Sequence, residues 1–298
     1  MNNAQSSLLN SRAVATSKTY KNAFNKFSIF CGTNSLSFLP AEPVAVILYL
    51  QKLSNTLAYS SLLQTASAIS WAHSLANEAD PTQSAVVKNL LQACKRGSKT
   101  VVHKEPATVN HLWHLASVYR RNESPKNLRT LVISVLAYSG CMRISDFINL
   151  PVGSFVILEN YIQIQLGRTK TDQFREGNRK YIPHGKEKSL CPVRLLSKWL
   201  KLLKNGSELP AFPMLTNKTK PISISSFREN LEEAFKNADL PKITPHSFRA
   251  GFATNAINAG VEVTDLKEFG LWQSESSIQR YSKRSISKKL QTGSLAGL

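Results

Sequence analysis

The side chains best suited to handling a phosphate ester fall in five short stretches of the second half of the chain. In Tyr138-Ser-Gly-Cys-Met-Arg143-Ile-Ser-Asp146, one helix should end at Ser139-Gly140 and another start near Arg143. An arginine fork beside the free amides of a helix start suits a phosphate. Taken alone, the motif is weak, and Arg143 reads more simply as a surface residue with Asp146 as its partner three positions on. Gly167-Arg168-Thr169-Lys170-Thr171 has the look of a hairpin tip that lowers a lysine into a groove, or of a solvated basic turn. His246-Ser-Phe-Arg249 spaces a histidine and an arginine three apart, on one helical face. That pairing joins proton transfer to charge neutralisation. Trp272, in Gly270-Leu-Trp-Gln-Ser, carries an N–H that only donates, although a core tryptophan is the plainer reading. Tyr281, in Ile278-Gln-Arg-Tyr-Ser, has the type of a covalent nucleophile in a pattern that amphipathic packing also produces.

The elements that must position these groups are mostly helical. Tyr20, Phe24, Phe27 and Cys31 recur at helical steps, with Gly32 ending the pattern. Pro43 opens a helix through Leu53, and Ser60 or Ser61 caps a third with Leu62, Ala66, Ile69 and His73 on one face. Pro81-Thr82 starts a fourth, with Val86, Leu90 and Cys94 aligned and Gly97 as its stop. Lys95 to Pro106 is basic and aperiodic and reads as a linker, which divides the chain into 1–100 and 101–298. Beyond it, helical patterns cover Thr108–Tyr119, Leu128–Tyr138, Val193–Leu203 and Ile224–Asp239, followed by a helix-rich end. The period changes in between. Ile162, Ile164 and Leu166 alternate with Gln163 and Gln165, which is strand behaviour, and Arg179–Pro183 returns as an antiparallel partner. The fold class expected is mainly α with a small antiparallel β-sheet.

Charge narrows the function classes. Of 298 residues, 38 are Lys or Arg and 19 are Asp or Glu, a net charge of +19 spread over both halves. Such a surplus destabilises the compact state unless a polyanion offsets it, which points to nucleic acid. A membrane surface fits less well, because no apolar run approaches the ~18 residues of a spanning helix. Met1 to Ser7 is polar and lacks the apolar core of a signal peptide. Cys31, Cys94, Cys141 and Cys191 lie far apart, without zinc spacing, and read as buried apolar residues of an intracellular protein. No RNP-like aromatic motif supports RNA recognition, and no Walker A loop supports nucleotide hydrolysis.

In their order, Arg143, Lys170, His246, Arg249, Trp272 and Tyr281 resemble the tyrosine recombinase (phage integrase) superfamily, whose pattern is Arg…Lys…His-x-x-Arg…His/Trp…Tyr. The nine residues from Trp272 to Tyr281 are a Cre-like spacing, and Ile164 to Thr171 is similar to the Cre hairpin that carries a catalytic lysine. The likeness covers about Thr108 to Ser282; the N-terminal helices match only in type. Asp146 stands where the family usually has Glu, and Trp272 where it usually has His. The segment His246-Ser-Phe-Arg-Ala-Gly-Phe-Ala-Thr254 further resembles recombinases of eukaryotic DIRS and Crypton elements.

The resemblance implies a two-domain, C-shaped DNA clamp: a helical core-binding domain over 1–100 and an α+β catalytic domain over 101–298. It implies a nucleus or nucleoid location and a site-specific recombinase acting without metal or ATP, as a homo-tetramer on two duplex sites. Arg143 and Arg249 would then clamp the phosphoryl oxygens, Trp272 would donate to them, His246 would take the proton of Tyr281, and Lys170 would protonate the leaving oxygen. Asp146 would orient its neighbours. Arg168, Arg280, Lys283 and Arg284 would hold the DNA backbone, and the tail from Ser285 to Leu298 is a candidate for docking on a neighbouring protomer. A type IB topoisomerase and a non-catalytic DNA-binding descendant of a recombinase share parts of this pattern.

Overall fold

The computed structural model describes residues 14–98, 105–167 and 179–279. The chain divides into two compact units, Met1–Val102 and His103–Leu298.

In the first unit, α1 (Val14–Thr33), α2 (Pro43–Ser54), α3 (Tyr59–Ala76) and α4 (Ala85–Arg96) enclose a core of Phe27, Cys31, Val46, Leu50, Leu62, Ile69 and Val87. The helices are those the spacing predicts, with local corrections. α1 runs through Gly32 to Thr33, because an open-sided glycine costs only about 1 kcal/mol in a helix. α3 begins two or three residues earlier than a cap at Ser60 or Ser61 would place it, after Ala58. Pro81–Gln83 is a separate 3-10 turn, closed by Thr82 N–H donating to the Asp80 carboxylate. That turn resets the phase of α4, so Val87 enters the core and Val86 is 59% exposed. Lys95 and Arg96 belong to the last turn of α4 rather than to a linker. Cys94 is half-buried, whereas the other three cysteines are buried.

The second unit packs α5 (Val109–Arg121), α6 (Pro125–Ser139), α8 (Pro192–Leu203) and α9 (Ile224–Ala234) around one apolar core. α6 lies at its centre, with Leu131, Val132, Ile133, Leu136 and Ala137 all buried. Its start is set by Ser124, whose hydroxyl accepts from Asn127 N–H, and by Pro125 at the first helical position. α9 stops at Ala234, short of Asp239. The hairpin forms from the expected strands: β2 (Tyr161–Gln165) pairs antiparallel with β3 (Arg179–Pro183), Ile162 opposite Ile182 and Ile164 opposite Lys180. A third strand, β1 (Phe155–Ile157), pairs with the other edge of β2. Its apolar run gave the signal, but three residues are too few for alternation to register.

A short α7 (Ile144–Phe147) follows α6, and α10 (Ser247–Asn258), α11 (Val263–Gly270) and α12 (Glu275–Gln279) complete the unit. Among the described residues, no helix is long and apolar enough to cross a membrane.

Candidate active site

The turn from α6 into α7 is where Arg143 is set. Gly140 closes α6 and Cys141 adopts a left-handed conformation at φ 50°, so Met142 N–H reaches back to the Ala137 carbonyl at 3.0 Å. A Cβ on Gly140 would stand 2.8 Å from the side-chain ends of both Ile182 and Met142, so a larger residue here would have to displace them. Arg143 then caps α7. That helix has four residues, so its dipole adds little, and Arg143 acts through its side chain alone. The guanidinium lies 3.8 Å from the Asp146 carboxylate. Burial pushes the Asp146 carboxyl up, and Arg143 and then Arg249 pull it back down.

His246 and Arg249 sit at the start of α10, as their spacing predicts, but with opposite exposures. His246 precedes the first turn and is exposed, while Arg249 is 2% exposed. The turn before them is pinned from both sides, Ser247 N–H donating to Thr244 O at 2.8 Å and Thr244 N–H to the Ser247 hydroxyl at 3.0 Å. Ala107 N–H donates to Ser247 O at 2.8 Å, and a Cβ on Gly251 would fall 1.9 Å from the Ala107 carbonyl. Gly251 is thus what lets the 105–107 segment lie against α10.

The Arg249 guanidinium is held by a carbonyl at one nitrogen and by an aromatic ring against its carbon. Its Nη1 donates to the Cys141 carbonyl at 2.7 Å, while the Cys141 thiol lies 3.9 Å from the Arg249 carbonyl. Its plane lies over the Trp272 ring, 4.0 Å from the ring centre. Arginine stacks on aromatic faces more readily than lysine because it is planar and weakly hydrated. The sequence reading gave Trp272 to the phosphate through its N–H; the structure shows its ring face occupied by Arg249.

Trp272 reaches that place by folding back on α11. Leu271 is left-handed at φ 54°, and Trp272 N–H donates to the Lys267 carbonyl at 3.0 Å. The indole passes over Gly270 so closely that a Cβ there would lie 1.7 Å from the ring. Gly270→Ala is therefore expected to push the indole off Arg249. Near-ultraviolet circular dichroism of the tryptophans should change, the melting temperature should fall by several degrees, and DNA cleavage should drop with it. An unchanged spectrum would mean the indole does not lie against Gly270.

One member of this cluster escaped the sequence reading. Lys180, on β3, is 4% exposed, and its Nζ lies 4.2 Å above the Phe269 ring centre with no hydrogen-bond acceptor among the described residues. It is electrostatically coupled to Cys141, Arg249 and Asp146. The signal was present: Lys180 shares the inward parity of β3 with Ile182. Arg143, Asp146, Lys180, Arg249 and Trp272 thus form one cluster, with His246 a turn of helix from Arg249. Three cations face one carboxylate, an arrangement suited to an anion that hydrogen-bonds to arginine. Lys170, Tyr281, Arg168, Arg280, Lys283 and Arg284 lie outside the described residues.

The second unit thus combines a three-stranded sheet and many helices with a basic cluster where α6, α10, α11 and β3 meet. Residues 83–287 match the phage integrase family, and the chain belongs to that family, the tyrosine-type site-specific DNA recombinases. It is 25% identical over 295 residues to an integrase/recombinase xerD homolog of Selenomonas ruminantium, covering 93% of this chain and 84% of that one. A tyrosine recombinase of Thermosipho africanus is 26% identical over 148 residues, 49% of this chain and 46% of the other. Among solved structures, the Tn1549 transposon integrase in complex with transposon right-end DNA aligns with a TM-score of 0.71 at 15% identity, over 96% of this chain and 95% of that one. A lambda integrase dimer bound to a core site aligns at 0.63 and 15% identity, over 95% and 75%. None of these relatives is a DIRS or Crypton recombinase, and that finer likeness rests on His246–Thr254 alone.

Proposed function

We propose that this chain binds duplex DNA through both of its basic units and cleaves one strand through Tyr281. In this reading the phosphodiester enters the Arg143–Arg249 cluster, whose positive charge offsets the negative charge that builds on the phosphoryl oxygens during attack. The Tyr281 oxygen bonds to phosphorus as its proton passes to His246. The bond to the 5′ oxygen breaks, and Lys170 supplies that oxygen with a proton. A 3′-phosphotyrosyl link conserves the bond energy, so a 5′ hydroxyl from a second strand can reverse the step without ATP. Four protomers on two sites exchange strands in pairs through a Holliday junction. Asp146 orients Arg143, while Arg168, Arg280, Lys283 and Arg284 hold the backbone beside the cut.

The observation that carries the reading is Arg249: a buried guanidinium fixed by the Cys141 carbonyl and the Trp272 ring, beside a carboxylate it shares with Arg143. A cation so oriented in the free protein needs no reorganisation when charge develops.

The test has two parts. Binding to a mixed-sequence duplex should weaken steeply with salt, log K falling by about 0.9 per neutralised phosphate against log salt. Nicked duplexes made from the DNA flanking the gene should yield a metal-independent protein–DNA conjugate on a denaturing gel. Flat salt dependence would remove the DNA clamp, and salt-dependent binding without any conjugate would leave a non-catalytic DNA-binding protein. The mass of the complex on DNA separates four protomers from the single one of a topoisomerase.

A further inference from the structure

We propose that Lys180 is a positioning residue of the cleavage site, a third cation that acts through Arg249 and Asp146 and binds a proton together with the phosphodiester. The inference rests on the phosphate-binding reading of the cluster above.

A lysine is costly where β3 places it. Its side chain faces inward opposite Ile164, on the same face as the fully buried Ile182. An ammonium taken from water needs acceptors, and among the described residues Nζ hydrogen-bonds to none and lies over the Phe269 ring. Phe269 is itself stacked on Phe252 at 5.1 Å, so the cation lies on the aromatic wall that joins α10 to α11. An apolar residue would fill the place at no electrostatic cost. The charge is accounted for if an anion completes the site.

The surrounding groups set the sign. Burial pushes the Lys180 ammonium down to about 8, with Arg249 acting the same way and Cys141 and Asp146 against it. Burial also pushes the Cys141 thiol up to about 11, so near neutral pH it supplies no countercharge. Asp146 is shared with Arg143 and Arg249. Arg179, Asp265 and Glu268 line the cleft that Lys180 and Phe269 also line. A phosphodiester on Arg143 and Arg249 adds the negative charge this cluster lacks and favours the protonated amine. DNA binding above pH 8 then draws a proton from solvent onto Nζ, and affinity falls as pH rises through that range. Stability has the opposite dependence. The folded chain releases the proton at lower pH than the unfolded chain, so the penalty is full below about 8 and is lost as pH rises toward the ordinary lysine value.

Calorimetry of the full chain with a mixed-sequence duplex, at pH 8.5 in buffers of differing ionisation enthalpy, measures the proton count. Wild type should take up a fraction of a proton more than either Lys180→Met, which is never charged, or Lys180→Arg, which always is. Lys180→Met should also melt higher than wild type at pH 7 and lose that gain by pH 10. Conjugate formation at pH 7 should fall about tenfold in Lys180→Met and be largely restored in Lys180→Arg, since charge and not titration is what the transition state requires. Equal proton uptake in all three proteins, or a Lys180→Met chain no more stable than wild type at pH 7, would overturn the proposal. Wild type that forms no conjugate would instead overturn the recombinase chemistry, and the proton count on DNA binding would still decide the place of Lys180.

Discussion

Tyr281→Phe is expected to bind duplex DNA with unchanged affinity and salt dependence and to form no covalent conjugate at all. The change removes one hydroxyl, and phenylalanine fills the same space, so the phosphate contacts that dominate affinity are untouched. With Tyr281 as the proposed nucleophile, cleavage has no group left to attack phosphorus, a deficit that positioning and electrostatics do not replace. The other tyrosines of the second unit are otherwise engaged, Tyr119 being buried with Lys198 Nζ 4.9 Å from its ring centre. Tyr138 packs edge-on against Phe252 at 6.1 Å, and burial raises its hydroxyl further from ionisation. Tyr161 and Tyr181 form an edge-to-face pair at 5.8 Å on the sheet. With a nicked duplex the short leaving strand diffuses away, so wild type should accumulate the conjugate, with the DNA joined through its 3′ phosphate to the Tyr281 peptide. A conjugate that persists in Tyr281→Phe would reassign the nucleophile.

Arg249→Lys should be nearly as severe, although it keeps the charge. Lysine cannot present two parallel N–H groups to a phosphate while also donating to the Cys141 carbonyl, and it loses the planar stack on Trp272. Removal of one oriented donor to developing charge typically costs about 10²–10³ in rate. Single-turnover conjugate formation should fall by at least that much, while DNA affinity changes only a few-fold. The Cys141 carbonyl and the Trp272 ring also lose a partner in the core, so the melting temperature should fall by a few degrees. Cleavage retained within tenfold would mean that Arg249 is structural and that Arg143 carries the phosphate by itself.

The contrast between His246 and Arg249 shows how far the sequence reaches. Their spacing of three fixed them on one turn, and the order of Arg143, His246, Arg249, Trp272 and Tyr281 pointed to one chemistry and one family. The hairpin was legible as well, since alternation over Tyr161–Leu166 and Arg179–Pro183 is long enough to set register. Both depend on relations between near neighbours, which helical and strand periodicity preserve along the chain. Helix limits were less legible wherever a turn resets the phase, as Pro81–Gln83 does before α4.

What the tertiary structure alone decided is where the charges go and what holds them. Nothing near Arg249 in sequence marks it as buried; its partner is the carbonyl of Cys141, 108 residues away. Cys141 read as a small apolar filler, yet its left-handed backbone is what turns that carbonyl toward Arg249. Gly270 carries no signal of its own in the sequence, but it is the gap through which Trp272 folds back. Lys180 read as one basic residue among 38 Lys and Arg until β3 packed it against Phe269. The sequence by itself determined the set of groups and hence the class of chemistry, because that depends on residue type and order. Burial, stacking and the shift of a lysine toward neutrality depend on desolvation by residues distant in the chain, and these exist only once the core has formed.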